Sequence, residues 1–239
     1  MSIELILFDL DGVLFDSGDL VVAAVYAAVD RLSAGGPVSY PHPPEERIVG
    51  LLGVPDREYA RGLGLELDEP RLKEFKRLVA EELGRQAGAG FGRLYEGIPE
   101  LLASISRAGL RLALASNCGR PYLVHFLDRF DLVGCFELAL CNGDLPWGEK
   151  HDLLEMVLEH QQTLPSEAIY LGDRARDWEA ARMAGCGFIA CLWGYGDPAE
   201  FPPEVPRCAT PAEAGEILAR VRGASGDSLS SPGDPDVGA

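Results

Sequence analysis

Two carboxylates, Asp9 and Asp11, close the apolar run Ile3–Phe8, and Gly12 follows at once. Side chains at i and i+2 of an extended segment share a face, so both acids point the same way. Like charges this close repel, and only a shared proton or a nearby cation makes the pair tolerable. One chemistry fits such a pair. Asp9 would be a nucleophile held against a hard cation such as Mg2+, which takes its ligands from carboxylates and substrate phosphate. Asp11 would be the general acid and base for the departing group. On this stretch alone, an exposed Asp-x-Asp-Gly turn is an equal reading.

Three more places carry polar residues where an element begins or ends. Ser116 and Asn117 follow the run Leu110–Ala115, and their donors suit a phosphate oxygen. Backbone N–H groups of the next helix would add to them, although the pair also reads as a plain helix cap. Lys150 opens a helical pattern, where the helix macrodipole disfavours a cation. As a point charge it would bind phosphate and offset the carboxylates, or else be a solvated surface lysine. Asp173 stands directly after Ala168–Gly172, and Asp177 lies one helical turn on, so the two face one point. An acidic, capped first turn accounts for Asp177 but less well for Asp173.

The elements that must position these residues alternate. Strands are predicted at 3–8, 110–115, 136–141, 168–171 and 188–192, and helices at 99–108, 121–129, 150–159, 174–184 and 211–221. That rhythm predicts an α/β fold with a doubly wound, mostly parallel, Rossmann-like sheet. Ligands of such sheets bind at the carboxyl ends of the strands, where the acids are. Residues 17–32, 44–52, 55–63 and 70–85 read as helices, and a glycine-rich stretch at 87–92 ends them. The expected division is an α/β core of residues 1–16 and 92–222 with an all-helical insert at 17–91. Residues 223–239, rich in Gly, Ser, Asp and Pro, are expected to be disordered.

The 239 residues are 47% hydrophobic, enough for a sizeable core. With 38 acidic against 21 basic residues, the formal net charge is −17. Such a charge opposes binding to nucleic acid or to anionic membranes, and it requires local cations to draw in an anionic substrate. Glu4, Asp9 and Asp11 interrupt the apolar run near the amino terminus, so no signal peptide is expected and a cytoplasmic location is. The six cysteines show no zinc-ligand spacing and read as reduced, buried thiols.

Taken together, DLDGVLFDS, ALASN, Lys150 and GDRARD resemble the four motifs of the haloacid dehalogenase superfamily. The likeness spans residues 3–222. The helical insert after the first motif and the segment LYEGIPELLASISRAG are similar to the branch holding phosphoglycolate phosphatase and β-phosphoglucomutase. This resemblance implies a helical cap that opens and closes over the core. It implies Asp9 as nucleophile, and Asp11 as general acid and base that also lends a backbone carbonyl to Mg2+. Ser116 and Asn117 would hold the phosphoryl group, and Lys150 would steady it. Asp173 would bind the metal, with Asp177 acting through water or orienting Lys150. Arg47 and Arg57, flanking the turn at 50–53, are candidate substrate contacts of the cap or ordinary surface arginines. One departure is His151-Asp152 after Lys150, where the family commonly has proline. Asp11 favours phosphate esters over halides, because a halide leaves without a proton whereas an alkoxide needs one. The expected activity is Mg2+-dependent hydrolysis of a small phosphate monoester, phosphoglycolate among the candidates, by a monomer or homodimer. A phosphomutase is the alternative, and a catalytically silent binding protein the third reading.

Overall fold

A computed structural model describes residues 2–35, 38–54, 56–145 and 149–226. The first strand, β1 (Leu5–Phe8), is followed by the short β2 (Phe15–Asp16). Four helices come next: α1 (Gly18–Ala34), α2 (Glu45–Gly50), α3 (Asp56–Gly62) and α4 (Glu69–Gly88). The chain returns through β3 (Arg93–Leu94) to α5 (Ile98–Arg107), β4 (Arg111–Ser116), α6 (Arg120–Arg129) and β5 (Leu138–Cys141). It finishes with α7 (Lys150–His160), β6 (Ala168–Gly172), α8 (Ala175–Ala184), β7 (Gly187–Cys191), β8 (Arg207–Cys208) and α9 (Pro211–Gly226). Helix α9 covers residues 223–226, which the composition assigned to a disordered tail; residues 227–239 lie outside the described residues. Among the described residues, no helix is long and apolar enough to cross a membrane.

Six strands form one sheet in the order β5-β4-β1-β6-β7-β8, and every pairing is parallel. Strand β1 is therefore central and covered on both faces, which is why its sequence is an unbroken apolar run. Ile6 and Phe8 enter one apolar layer with Leu112, Leu114, Ile169 and Leu171. Leu5 and Leu7 enter the opposite layer with Ala113, Ala115, Tyr170 and Ala190. The first layer is closed by α5, α6 and α9, and the second by α7 and α8. The β1–β4 connection runs to one side and the β6–β7 connection to the other, so β1 and β6 bracket the switch point of the sheet.

The helical insert hangs from two adjacent threads. Strands β2 and β3 pair antiparallel, Phe15 with Leu94 and Asp16 with Arg93, so the chain leaves and re-joins the core side by side. An Asp16–Arg93 ion pair ties the threads further. Phe15 packs against Phe126 and Phe130 of the core at ring separations of 5.3 and 5.6 Å. Within the insert, α1 lies along α4, with Arg31 bonded to Glu81 and Glu82 at 3.0 Å each. Helix α4 starts at an Asp68 cap and runs to Gly88, past the point where glycines were expected to stop it. The reversal falls instead at Gly90 and Gly92, both with positive φ.

Gly92 has φ +78, and a Cβ placed there would sit 2.3 Å from Phe15 Cζ. Gly92→Ala combines left-handed strain with overpacking, for a predicted loss of about 2–4 kcal/mol of stability in urea denaturation. Gly109 has φ +72 but nothing within 4 Å of such a Cβ. Gly109→Ala is therefore predicted to cost only about 1–2 kcal/mol, and equal losses at the two positions would refute the packing role of Gly92.

Candidate active site

Asp9 makes the last ladder bond of β1, donating its N–H to Leu171 O at 2.9 Å, and its side chain then leaves the apolar layer. Its Oδ1 accepts from Leu10 N at 2.8 Å and its Oδ2 from Lys150 Nζ at 2.6 Å. The same ammonium donates to Asp177 Oδ1 at 2.5 Å and lies 5.6 Å from the centre of the Tyr170 ring. Lys150 thus turns inward from the first position of α7 and is 9% exposed. The unfavourable helix dipole is outweighed by two direct carboxylate partners. The His151-Asp152 pair leaves this geometry intact. Asp152 Oδ2 accepts from Glu149 N at 2.6 Å and caps α7, while His151 faces Glu149 and Asp152.

Asp173 and Asp177 are set by the β6–α8 turn. Asp177 Oδ2 accepts from the N–H groups of Asp173 and Arg174 at 3.0 Å each, so the turn is folded around its own carboxylate. Asp173 Oδ2 accepts from Tyr195 N at 2.7 Å. Glycines make room for these approaches. A Cβ on Gly12 would lie 2.2 Å from Asp173 Oδ2, one on Gly194 2.5 Å from the same oxygen, and one on Gly172 2.3 Å from Asp177 Cβ. Oxygens of Asp9, Asp173 and Asp177 then lie within 4.8 Å of one another, an all-carboxylate group able to hold a metal ion.

Asp11 stands apart from that group. Its Oδ1 accepts from the Tyr122 hydroxyl at 2.7 Å, and its side chain is partly buried. Ser116, two positions beyond the Leu114 that pairs with Phe8, is buried at the same edge, where its Oγ accepts from Cys118 N at 3.3 Å. Asn117 is exposed beside it. The two cap arginines are not drawn in. Arg57 is ion-paired with Glu69 inside the insert, and Arg47 is exposed on α2.

Burial dominates the electrostatics of the site. It pushes the Asp9 carboxyl up to about 7, helped by Asp177 and opposed by Lys150 and the Leu10 N–H. Burial also lifts Asp173 well above the carboxylate range, with Asp177 and Asp9 adding repulsion. Asp11 is raised by burial too, although hydrogen bonds from Ser17 and Tyr122 hold it back. For Lys150, burial works against the charge, but Asp177 and Asp9 outweigh it and the ammonium is raised.

Sequence reasoning missed Tyr122, Tyr195 and Gly194. The Tyr195 hydroxyl accepts from Ser17 N at 2.7 Å and lies 3.3 Å from Asp16 Oδ1, so this residue touches both the carboxylate group and the thread leading to the insert. A signal existed: Trp193-Gly194-Tyr195-Gly196 comes just after the buried strand β7, much as Asp9, Ser116 and Asp173 stand at strand ends.

Residues 6–191 match the family described as haloacid dehalogenase-like hydrolase. The chain belongs to that family. This haloacid dehalogenase-like hydrolase is 32% identical over 197 residues to the tyrosine-protein kinase PtkA of Mycobacterium tuberculosis, covering 82% of this chain but only 64% of PtkA. It is 32% identical over 208 residues to the phosphoglycolate phosphatase of Vibrio cholerae, covering 82% of this chain and 88% of that one. The crystal structure of a predicted phosphoglycolate phosphatase from Haemophilus somnus superposes with a TM-score of 0.78 at 22% identity, covering 91% of this chain and 98% of that one. The helical insert and parallel core are thus the family's architecture.

Three buried carboxylates around one ammonium carry a stability consequence. A carboxyl raised from 3.8 to about 7 holds its proton in the folded state while the unfolded chain has lost it. Stability therefore falls as pH climbs from about 4 to about 7 and stays low above that. Asp9→Asn removes this penalty, so in chelator at about pH 8 the variant should melt above the wild type, with the advantage shrinking towards pH 4. Thermal melts that keep the wild type on top across the range would show that pairing with Lys150 outweighs burial.

Proposed function

We propose that this hydrolase is a Mg2+-dependent phosphatase that cleaves a small phosphate monoester through an aspartyl-phosphate at Asp9. The observation that carries the reading is the division of labour among the acids. Asp9 is bonded to Lys150 in the carboxylate group, while Asp11 is held separately by Tyr122. The donor set fits a hard divalent cation: it is all oxygen, and burial makes its excess negative charge costly. Asp9, Asp173 and Asp177 would hold the ion, which when bound would draw negative charge from the phosphoryl oxygens.

The protein's own groups do the rest. A carboxylate oxygen of Asp9 attacks phosphorus, the ester P–O bond breaks, and the leaving oxygen takes the proton of Asp11. Burial raises the Asp11 carboxyl from its ordinary value and so favours its protonated form. Water then attacks the same phosphorus, passes a proton to Asp11 and releases phosphate, restoring Asp9. Lys150 orients Asp9 and offers positive charge to the phosphoryl group, with Ser116 and Asn117 placed at the neighbouring strand end. The likeness to phosphoglycolate phosphatases supports a small dissolved ester as substrate. The likeness to PtkA favours a second reading, in which the aspartyl-phosphate passes its group to an acceptor other than water, as a phosphomutase would.

Phosphate release should be measured with Mg2+ on phosphoglycolate, hexose 1-phosphates, nucleotides and an aryl phosphate. Asp9→Asn should be inactive on all of them. Asp11→Asn should lose roughly 10²–10⁴-fold on alkyl esters, the usual worth of a general acid, and far less on the aryl ester, whose leaving group needs no proton. Mg2+ affinity should weaken below about pH 7, because the ion must displace the proton of Asp9. Isomerisation of a hexose phosphate without phosphate release would replace the hydrolase reading by the transfer reading.

A further inference from the structure

Arg174 belongs to both halves of the molecule. Its backbone N–H donates to Asp177 Oδ2 at 3.0 Å, inside the carboxylate group. Its side chain runs the other way, and Nη1 donates to Gly50 O at 3.2 Å and to Leu52 O at 2.9 Å. These carbonyls end α2 and begin the turn at 50–53, the part of the insert flanked by Arg47 and Arg57. A guanidinium at the carbonyl end of a helix meets orphan acceptors and the negative pole of the dipole.

The arginine is built in. Its Nε and Nη2 lie 3.3 Å from the two carboxylate oxygens of Glu200. Glu200 is itself fixed by the N–H groups of Ala175 at 3.0 Å and Asp197 at 3.1 Å. The side chain passes close to Gly196, where a Cβ would come within 3.3 Å of Arg174 Cδ, and a Cβ on Gly53 would make ordinary contact with Cγ at 3.9 Å. An ion pair from α8 to the insert, Arg176 with Glu58 at 3.7 Å, joins two exposed side chains and adds little. Only an arginine's planar fork reaches two carbonyls and a carboxylate at once; a lysine would serve one of them.

We propose that Arg174 is a positioning residue that docks the turn at 50–53 over the carboxylate group, so that substrate affinity depends on this contact between core and insert. The inference rests on the phosphatase reading of the site. Because the acceptors are backbone carbonyls, the docking depends on the path of the turn and on Arg174 rather than on the side chains of Leu51 and Leu52. The chemistry at Asp9 and Asp11 does not pass through the guanidinium, so its loss should act on binding before it acts on turnover.

The test compares full-length wild type, Arg174→Gln, Arg174→Lys and Arg176→Gln by hydrogen exchange and by steady-state kinetics with Mg2+ on the best ester of the panel. In Arg174→Gln, peptides covering 45–54 should exchange faster while those of β1 and β6 keep wild-type protection. KM should rise about ten- to hundredfold, the scale of lost hydrogen bonds to a charged group, with kcat within about threefold of wild type. Arg174→Lys should recover part of both effects, and Arg176→Gln should change neither. Unchanged exchange at 45–54, or a kcat loss at constant KM, would overturn the proposal. A wild type inert on every ester would instead sink the phosphatase reading, and the exchange comparison would still decide whether Arg174 docks the insert.

Discussion

A single ammonium, Lys150 Nζ, stands between Asp9 and Asp177 with Asp173 beside them, and most of the carboxyl edge exists to hold that arrangement away from bulk water. Such a cluster does not stabilise a fold by itself. Removing charges from water costs several kcal/mol per ion, and a buried ion pair seldom returns more than that cost. Here the acids outnumber the cation, and burial, with repulsion among the acids added to it, raises the Asp9 and Asp173 carboxyls. The stabilising free energy must come from elsewhere, from the two apolar layers that enclose the sheet. The site is the place where the molecule is least content without a ligand.

Topology decides where that discontent can be useful. Parallel strands bring every carboxyl end to one edge, and the reversal of connection direction between β1 and β6 leaves a crevice there. The register places Asp9, Ser116 and Asp173 at the ends of three neighbouring strands. Rigid strands fix their separations, while the intervening glycines remove the side chains that would otherwise keep backbone and carboxylate apart. Precision comes from the sheet and closeness from the glycines.

Much of this was readable from residues alone, and for a physical reason. Asp9, Ser116 and Asp173 each stand where an apolar run breaks off, with Asp11 two residues further on, and polar residues there point to a site as well as to a turn or a helix cap. Lys150 was visible because it contradicts the dipole of its own helix. Helix α4 was shortened in the reading because glycine propensity was weighed without the packing of α1 and α6 that carries the helix to Gly88. The two-residue strands β2 and β3 left no periodic trace, since their pairing depends on a partner far along the chain. The roles of Tyr122, Tyr195 and Arg174 arise in the same way. Each is defined by an atom more than a hundred residues away, Asp11, Ser17 and Gly50 respectively, and local pattern carries no record of such contacts.

The paired threads β2 and β3 have a consequence for how such a protein diversifies. Seen from the sheet, the whole insert is a long excursion from one point, leaving at Asp16 and returning at Arg93 across a single rung of antiparallel ladder. A tight turn could close the same rung. The excursion is therefore exchangeable: a different set of helices grafted between those residues would inherit the carboxylate edge without altering the strand register. Selection can rewrite the insert while leaving the buried carboxylate group alone.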